Sequence, residues 1–224
     1  MNIGDIAGLH CLSQLEFLHI YDYSRKPINF LKFPCLRYCN LEYGRNRSSI
    51  LKCESLVGLD LHHFSEQSLA LLMPLQELND LYLYQRGLRD ISEIISFPVL
   101  KRLFLSRIRH PIDIARLADC NTLEAIGLRG IKGVLKLDEI SQIPTLKALE
   151  IVDCGDIESL APLARCSNLE MLNFTGKTNV KDGDLRPLLG LPNLKTAMFG
   201  DRKHYNMKRA DLPVYYYGEG EYPL

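Results

Sequence analysis

A pattern of apolar and polar positions recurs nine times along the chain. Each copy has the form Φ-x-x-L-x-x-Φ-x-Φ, where Φ is apolar or cysteine, as in LSQLEFLHI (12–20), FPVLKRLFL (97–105) and IPTLKALEI (143–151). The alternating half of each copy predicts a short strand with one buried face. The constant period predicts units that each pack on their neighbours. The anchoring leucines, 20 to 25 residues apart, are Leu15, Leu36, Leu56, Leu78, Leu100, Leu123, Leu146, Leu169 and Leu194.

The segments between the predicted strands have a helical or 3₁₀ pattern in several units. Examples are DISEIISF (90–97), PIDIARLADC (111–120), ESLAPLARC (158–166) and DLRPLLGL (184–191). Pro162 and Pro187 suit a first helical turn or a kinked turn better than a long regular helix. We therefore expect a short helical or 3₁₀ segment after many of the strands.

This repeat resembles that of the leucine-rich repeat family, and the resemblance covers residues 12 to about 200. It implies an α/β chain that forms a right-handed leucine-rich repeat solenoid of about nine repeats. A parallel β-sheet would form the concave side, with short helical, 3₁₀ or irregular convex segments. The step lengths resemble the short bacterial, internalin-like repeats. Where the family usually has Asn or Cys after the strand, only Cys154 matches, so backbone pairing or water must close the turns.

The predicted domain organisation is one solenoid followed by a distinct segment. Residues 1–199 form the solenoid, in which residues 1–11 resemble a partial N-terminal cap. Residues 200–224 are predicted to cap the last repeat or to extend as a tail. This segment differs in composition because it holds the tyrosines Tyr205, Tyr215, Tyr216, Tyr217 and Tyr222.

Composition narrows the classes of partner and compartment. The chain has 27 basic and 27 acidic residues, and a formal net charge of zero argues against nucleic acid as the main partner. Its seven cysteines follow no disulfide pattern. Cys39, Cys53, Cys120 and Cys166 occupy apolar repeat positions and are expected to be buried thiols. With no signal-peptide pattern and no long apolar run, we expect a cytoplasmic protein that does not bind membranes.

Motifs for catalysis, metals and cofactors are missing from the sequence. The stretch TGKT (175–178) ends like a phosphate-binding loop, but Met171 stands where the first glycine is required. The histidines show no ligand-pair spacing, and there is no G-x-S-x-G motif for a nucleophile. We therefore expect a protein that is not an enzyme and that has no metal or cofactor.

The residues that alternate with the strand leucines should face the concave side, and their chemistry changes along the chain. They include six aromatic side chains in the first five repeats and none in the last four. Aromatic rings with Asp, Glu and Arg are typical of protein interfaces. Strand propensity and cross-strand stacking are the alternative explanation. The predicted partner-binding residues are Phe17, His19, Tyr21, Tyr38, Glu42, Asp60, Asp80, Tyr82, Tyr84, Arg102 and Phe104.

These observations favour a protein–protein interaction module that binds an unidentified protein on the aromatic N-terminal half of the concave face. We expect a monomer or weak homodimer, and the resemblance suggests a bacterial adaptor, inhibitor or immunity protein. One alternative is a structural or self-associating repeat protein without a concave-face ligand. Another is a carbohydrate-binding solenoid, which would also use concave aromatic rings but which the lack of a signal-peptide pattern disfavours.

Overall fold

One sheet of nine parallel strands dominates the computed structural model, which describes residues 6–20, 27–133 and 136–212. Its strands follow one another in chain order, one per repeat, so the predicted parallel sheet of about nine repeats is confirmed. They are β1 (Phe17–Ile20), β2 (Tyr38–Glu42), β3 (Gly58–His62), β4 (Asp80–Tyr84), β5 (Arg102–Ser106), β6 (Ala125–Arg129), β7 (Ala148–Val152), β9 (Met171–Phe174) and β11 (Thr196–Phe199). Two further strands, β8 (Asp156–Ile157) and β10 (Asn179–Val180), pair in parallel as a second sheet.

Every helix in the described ranges is a 3₁₀ helix, which refines the expectation of short helical or 3₁₀ segments. Pro162 and Pro187 lie at the start of two of these helices, where a missing N–H group costs nothing. The helices are η1 (Ile6–Cys11), η2 (Phe30–Lys32), η3 (Arg45–Lys52), η4 (Ala70–Leu72), η5 (Ser92–Ser96), η6 (Ala115–Asp119), η7 (Ile140–Gln142), η8 (Ala161–Arg165), η9 (Arg186–Gly190) and η10 (Arg209–Asp211). None of them is long and apolar enough to cross a membrane.

The core is a continuous column of apolar side chains between the sheet and the 3₁₀ helices. The anchoring leucines from Leu36 to Leu169 are all buried in it. Leu15 and Leu194 are only partly buried, because each belongs to a repeat at one end of the stack. Burial at such positions removes apolar surface from water at every repeat, and this is the main force that holds the units together.

Most of the cysteines are small core residues, as predicted for Cys39, Cys53, Cys120 and Cys166. All seven lie in the described ranges, none is in a disulfide, and Cys39, Cys53, Cys120, Cys154 and Cys166 are buried. Burial raises the pKa of Cys53, Cys120 and Cys166 to about 11, so these thiols stay protonated and unreactive at neutral pH.

Backbone pairing closes the turn that follows the strands, as expected where the Asn or Cys usual in the family is missing. The N–H group of His63 donates to the carbonyl of Tyr84, and that of Arg107 donates to the carbonyl of Arg129. At His63, Arg107 and Asp153 the φ angles are 59°, 64° and 52°, which places these non-glycine residues in the left-handed region. The sheet ladder therefore continues one residue past the strand before the chain turns away.

A second ladder, made by side chains, precedes the strands. In five repeats the residue before the anchoring leucine donates a side-chain hydrogen bond to a carbonyl of the preceding repeat. These bonds run from Ser55 to Leu36 (2.9 Å), Thr122 to Leu100 (2.7 Å), Thr145 to Leu123 (2.6 Å), Asn168 to Pro144 (2.8 Å) and Asn193 to Ser167 (2.8 Å). Hydroxyl and amide groups thus link neighbouring repeats at this position.

Residues that follow β11 pack on the last repeats. The Tyr205 ring contacts Phe199 edge-on at 6.3 Å, and its hydroxyl accepts a hydrogen bond of 2.9 Å from the Val180 N–H group. A ring nitrogen of His204 lies 3.0 Å from the carbonyl oxygen of Val180. The tyrosines at positions 215, 216, 217 and 222 of the predicted C-terminal segment lie outside the described residues.

Candidate functional site

Ten of the eleven predicted binding residues lie on β1 to β5, and Tyr21 lies outside the described residues. Parallel pairing arranges the outward-facing residues into three rows across the strands. The first row is Phe17, Tyr38, Gly58, Asp80 and Arg102. The second row is His19, Asn40, Asp60, Tyr82 and Phe104. The third row is Glu42, His62, Tyr84 and Ser106. The structure therefore brings the ten predicted residues together on one face of the sheet.

Aromatic rings of adjacent strands stack face to face within these rows. Phe17 and Tyr38 have ring centroids 4.8 Å apart, and Tyr82 and Phe104 have theirs 4.7 Å apart, with planes within 5° of parallel. Adjacent parallel strands lie about 4.8 Å apart, so the stacking distance follows directly from the strand spacing. The rings are fixed in place before any partner binds.

Two glycines give these stacks room to lie flat on the sheet. A Cβ atom on Gly58 would lie 2.5 Å from the Tyr38 ring, and a Cβ atom on Gly127 would overlap the Phe104 ring. In both cases the glycine is the neighbour of the ring residue in the next strand. Each stack therefore ends over a strand position that has no side chain.

A cavity of about 450 Å³ opens between the two stacks. Its lining includes the rings of Phe17, Tyr38, Tyr82 and Tyr84 and the carboxylate-bearing residue Asp60. A second cavity of about 250 Å³ shares Tyr82 and Tyr84 and continues to Arg129 and Glu150. The outward face of β1 to β5 is therefore a groove with aromatic walls, and one end of it reaches Arg129 and Glu150.

Two arginines on this face are held by buried carboxylates. Nη2 of Arg102 donates to Oδ2 of Asp80 at 2.7 Å, and its Nε donates to the other oxygen. Arg129 binds Glu150 in the same two-pronged way. Asp80 and Glu150 are 5% and 1% exposed, so these pairs fix the guanidinium groups and leave little net charge. The hydrogen bond to Asp80 raises the pKa of Arg102 further.

Asp60 is in a different electrostatic position. Its Oδ2 accepts a hydrogen bond of 2.6 Å from Asn40, and its Oδ1 lies 3.4 Å from Nε2 of His62. Burial raises the pKa of Asp60 to about 6 and lowers the pKa of His62. At pH 7 Asp60 is thus mostly ionised, while His62 is neutral and does not cancel its charge.

The C-terminal half of the same face has different chemistry. Ala125, Ala148 and Met171 pack into a small buried cluster of their own, with Met198 partly buried beside it. No ring of the described residues projects from this half into either cavity. The contrast between the two halves of the concave face, which the sequence predicts, therefore appears in the structure as a groove beside a closed surface.

Some residues of the groove are absent from the predicted binding set. Asn40, Gly58 and His62 line or support the cavity, and Arg129 and Glu150 extend the groove. Their repeat positions place them on the concave face, but the binding set favours aromatic and charged side chains in the first five repeats. In the described residues, no group of His, Cys, Asp and Glu side chains could hold a metal ion.

No protein-family model matches the sequence, and no curated protein matches it. Solved structures are similar in fold. Internalin C2 from Listeria monocytogenes is 24% identical with a TM-score of 0.52, over 70% of this chain and 69% of that chain. The internalin inlF from Listeria monocytogenes is 21% identical with a TM-score of 0.53, over 89% of this chain and 73% of its own.

A leucine-rich repeat protein of Leptospira interrogans is 17% identical with a TM-score of 0.54, over 89% of this chain and 66% of that one. At these identities the likeness concerns the fold. It agrees with the nine-stranded parallel sheet, the 3₁₀ connections and the buried anchoring leucines of the described repeats. The chain therefore has the fold of a leucine-rich repeat solenoid with short repeats, like those solved structures.

Proposed function

We propose that the protein is a non-enzymatic protein–protein interaction module that binds a protein partner on the aromatic N-terminal half of its concave face. The observation that carries this proposal is the 450 Å³ cavity between two pre-stacked pairs of rings. Its bacterial setting, its cytoplasmic location and its adaptor, inhibitor or immunity role stay predictions.

Rigid aromatic side chains suit a binding surface because little conformational entropy is lost when a partner covers them. The ring of Phe17 is stacked on Tyr38 and yet 64% exposed, so it presents apolar area to solvent in a fixed orientation. Stacking also stabilises the sheet, but stability alone does not require a ring of this size to stay exposed. Exposed apolar groups around a cavity are typical of interaction sites.

The remaining predicted residues would give the surface its polarity. Arg102 presents a guanidinium group that Asp80 holds in place, and Asp60 contributes a carboxylate inside the cavity. His19 and Glu42 lie at the margins, in the second and third rows. This arrangement, apolar in the centre with charged groups at defined positions, is the usual anatomy of a protein interface.

The test compares variants at matched positions of one row. Tyr82 and Met198 both lie in the second row, which continues through Gly127, Glu150 and Asn173 to the far end of the sheet. The full chain would be immobilised as wild type, Tyr82→Ala, Phe104→Ala and Met198→Ala and exposed to an extract of the native host. Bound proteins would be quantified by mass spectrometry, and thermal melting would verify that each variant is folded.

We expect a protein that wild type and Met198→Ala retain equally and that Tyr82→Ala and Phe104→Ala retain at least about tenfold less, as for central interface residues. Equal retention by all four chains would contradict the proposal. Measuring the molecular size of the pure protein over a range of concentrations distinguishes self-association from binding of another protein. A concentration-dependent dimer that Tyr82→Ala abolishes would assign the surface to a second copy of the chain.

A further inference from the structure

We propose that the 450 Å³ cavity receives a basic side chain, lysine or arginine, from the protein partner. This inference rests on the proposed function, because it specifies the chemistry of the residue that a partner would insert. It is carried by the combination of aromatic walls with the Asp60 carboxylate, which no permanent cation among the described lining residues neutralises.

The walls of the cavity suit a long side chain that ends in a cation. Phe17, Tyr38, Tyr82 and Tyr84 all contribute to its lining. The face of an aromatic ring attracts a cation through its quadrupole, and the alkyl stem of lysine or arginine packs on the same rings. The volume lies within the range of about 300–1,000 Å³ that is usual for ligand pockets, so an extended side chain has room to enter.

The charge of the cavity favours a cation over an anion. Arg102 is also in the lining, but the buried carboxylate of Asp80 binds it through both oxygens and cancels its charge. His62 is neutral at pH 7 because burial lowers its pKa. Among the described residues, no cation therefore matches the negative charge of Asp60, whose side chain is 22% exposed. Its Oδ1 is itself buried and accepts no hydrogen bond there, so an inserted cation would act on the carboxylate as a whole.

Other kinds of side chain fit less well. A carboxylate from the partner would meet Asp60 in a partly desolvated site, where like charges repel strongly. A purely apolar side chain would displace water and leave the Asp60 carboxylate buried without a counter-charge. A basic side chain covers the rings and neutralises Asp60 in one step, so it satisfies both features of the cavity.

The experiment uses side-chain analogues as probes. Backbone amide NMR signals of the full chain would be followed during titration with n-butylammonium and n-butylguanidinium, and n-butanol and butyrate would serve as matched neutral and anionic controls. We expect saturable shifts at Gly58, Asp60 and Tyr82 with the two cations, with dissociation constants on the order of millimolar for ligands of this size.

Asp60→Asn is the matched variant, since asparagine can still accept the hydrogen bond from Asn40. We expect it to weaken binding of both cations roughly tenfold, as expected when one charge is removed from a close ion pair. Tyr84→Leu, which removes one wall, should also weaken the cations and provides a second variant. Cations that bind no better than n-butanol, or that bind Asp60→Asn as tightly as wild type, would overturn the inference.

Lower pH gives an independent readout. The titratable and charged groups that face Asp60 from the adjoining strands are His19, Tyr38, Glu42, His62, Asp80, Tyr82, Tyr84 and Arg102. Between about pH 7.5 and about pH 5 Asp60 takes up a proton, so cation binding should weaken. In Asp60→Asn this pH dependence should largely disappear. A pH dependence that is unchanged in Asp60→Asn would contradict the role of this carboxylate.

This test can fail while the proposed function holds. If the host protein is lost with Tyr82→Ala but retained fully by Asp60→Asn, and the cationic probes do not bind, the concave face binds protein without a basic anchor. If all variants retain the same proteins, the proposed binding surface itself is wrong.

Discussion

Burial, more than any neighbouring charge, determines when Asp60 loses its proton. Removal from water raises its pKa from 3.8 to about 6, and the hydrogen bond from Asn40 offsets only part of this effect. An acid whose pKa is higher in the folded state favours folding in its neutral form. This contribution of Asp60 to the free energy of unfolding is fully present below about pH 3.8 and is lost as pH rises through about 6.

Asp60→Asn should therefore stabilise the protein in a pH-dependent manner. We expect the free energy of unfolding to rise by about 1–2 kcal/mol near pH 8 and to change little near pH 4, where Asp60 is neutral in the wild type. Urea denaturation of both proteins at the two pH values measures the difference. A gain that is equal at both pH values would show that ionisation of Asp60 is not its cause.

Gly127 has a steric role that a methyl group would disturb. In Gly127→Ala the new Cβ atom would overlap the Phe104 ring and force it away from Tyr82. We expect a loss of about 1–3 kcal/mol in stability, as for overpacked sites, and a changed near-ultraviolet circular dichroism spectrum. Gly200→Ala is the control, because a Cβ atom added to Gly200 would have nothing within 4 Å. Equal effects of the two substitutions would refute the steric explanation.

At the scale of elements, the strands could be predicted because each is marked by an anchoring leucine and alternating apolar residues. The side-chain ladder could not, because its position holds Ser, Thr, Asn and also apolar residues such as Val99. Because Ser, Thr and Asn can all make this hydrogen bond, no single residue type marks the position in the sequence. Their common feature is the carbonyl acceptor in the preceding repeat, which only the stacked repeats reveal.

The ladder should contribute measurable stability in each repeat that forms the bond. Thr145→Val removes a hydroxyl that donates 2.6 Å to the Leu123 carbonyl, and we expect it to cost about 1 kcal/mol. Thr196→Val is the matched control, since the Thr196 hydroxyl is buried without a hydrogen bond in the described structure. That substitution should be neutral or stabilising. Chemical denaturation measures the free energy of unfolding of both variants. Equal losses of stability would contradict a role for the ladder.

The aromatic residues of the site could be predicted, but the cavity between them could not. Repeat positions put Tyr38 and Tyr82 on the concave face, and the sequence shows that rings are confined to the first half. The stacking of Tyr82 on Phe104, and the space over Gly58, depend on which residues the register places side by side. The residues that line the groove could therefore be identified only once the pairing of neighbouring strands was known.

At the scale of the whole molecule, a stack of repeats must cover the apolar surface at its two ends. We propose that residues 200–212 cap the C-terminal end, as the capping alternative for the segment after residue 199 predicts. Tyr205 supports this proposal because its ring is buried against Phe199 while its hydroxyl accepts the hydrogen bond of the Val180 N–H group. One residue thus covers the last strand of the main sheet and binds the second sheet.

Tyr205→Phe tests the cap without removing the ring. The Val180 N–H group would lose its acceptor in a buried position, and we expect a loss of about 1–3 kcal/mol with faster amide exchange at Val180. Tyr43→Phe, in which the ring still packs on Phe64, is the control and should change stability by no more than about 0.5 kcal/mol. Unchanged exchange at Val180 in Tyr205→Phe would argue against the cap.

The strict order of the nine strands has a mechanical consequence. Each strand of the main sheet is hydrogen-bonded only to the strands before and after it in that order. Tension applied to the two ends of the chain would therefore detach repeats in sequence from an end, and the middle of the sheet would keep its bonds until last. Each detached repeat of 20 to 25 residues would lengthen the molecule by roughly 70 Å, so extension would proceed in steps of nearly equal size.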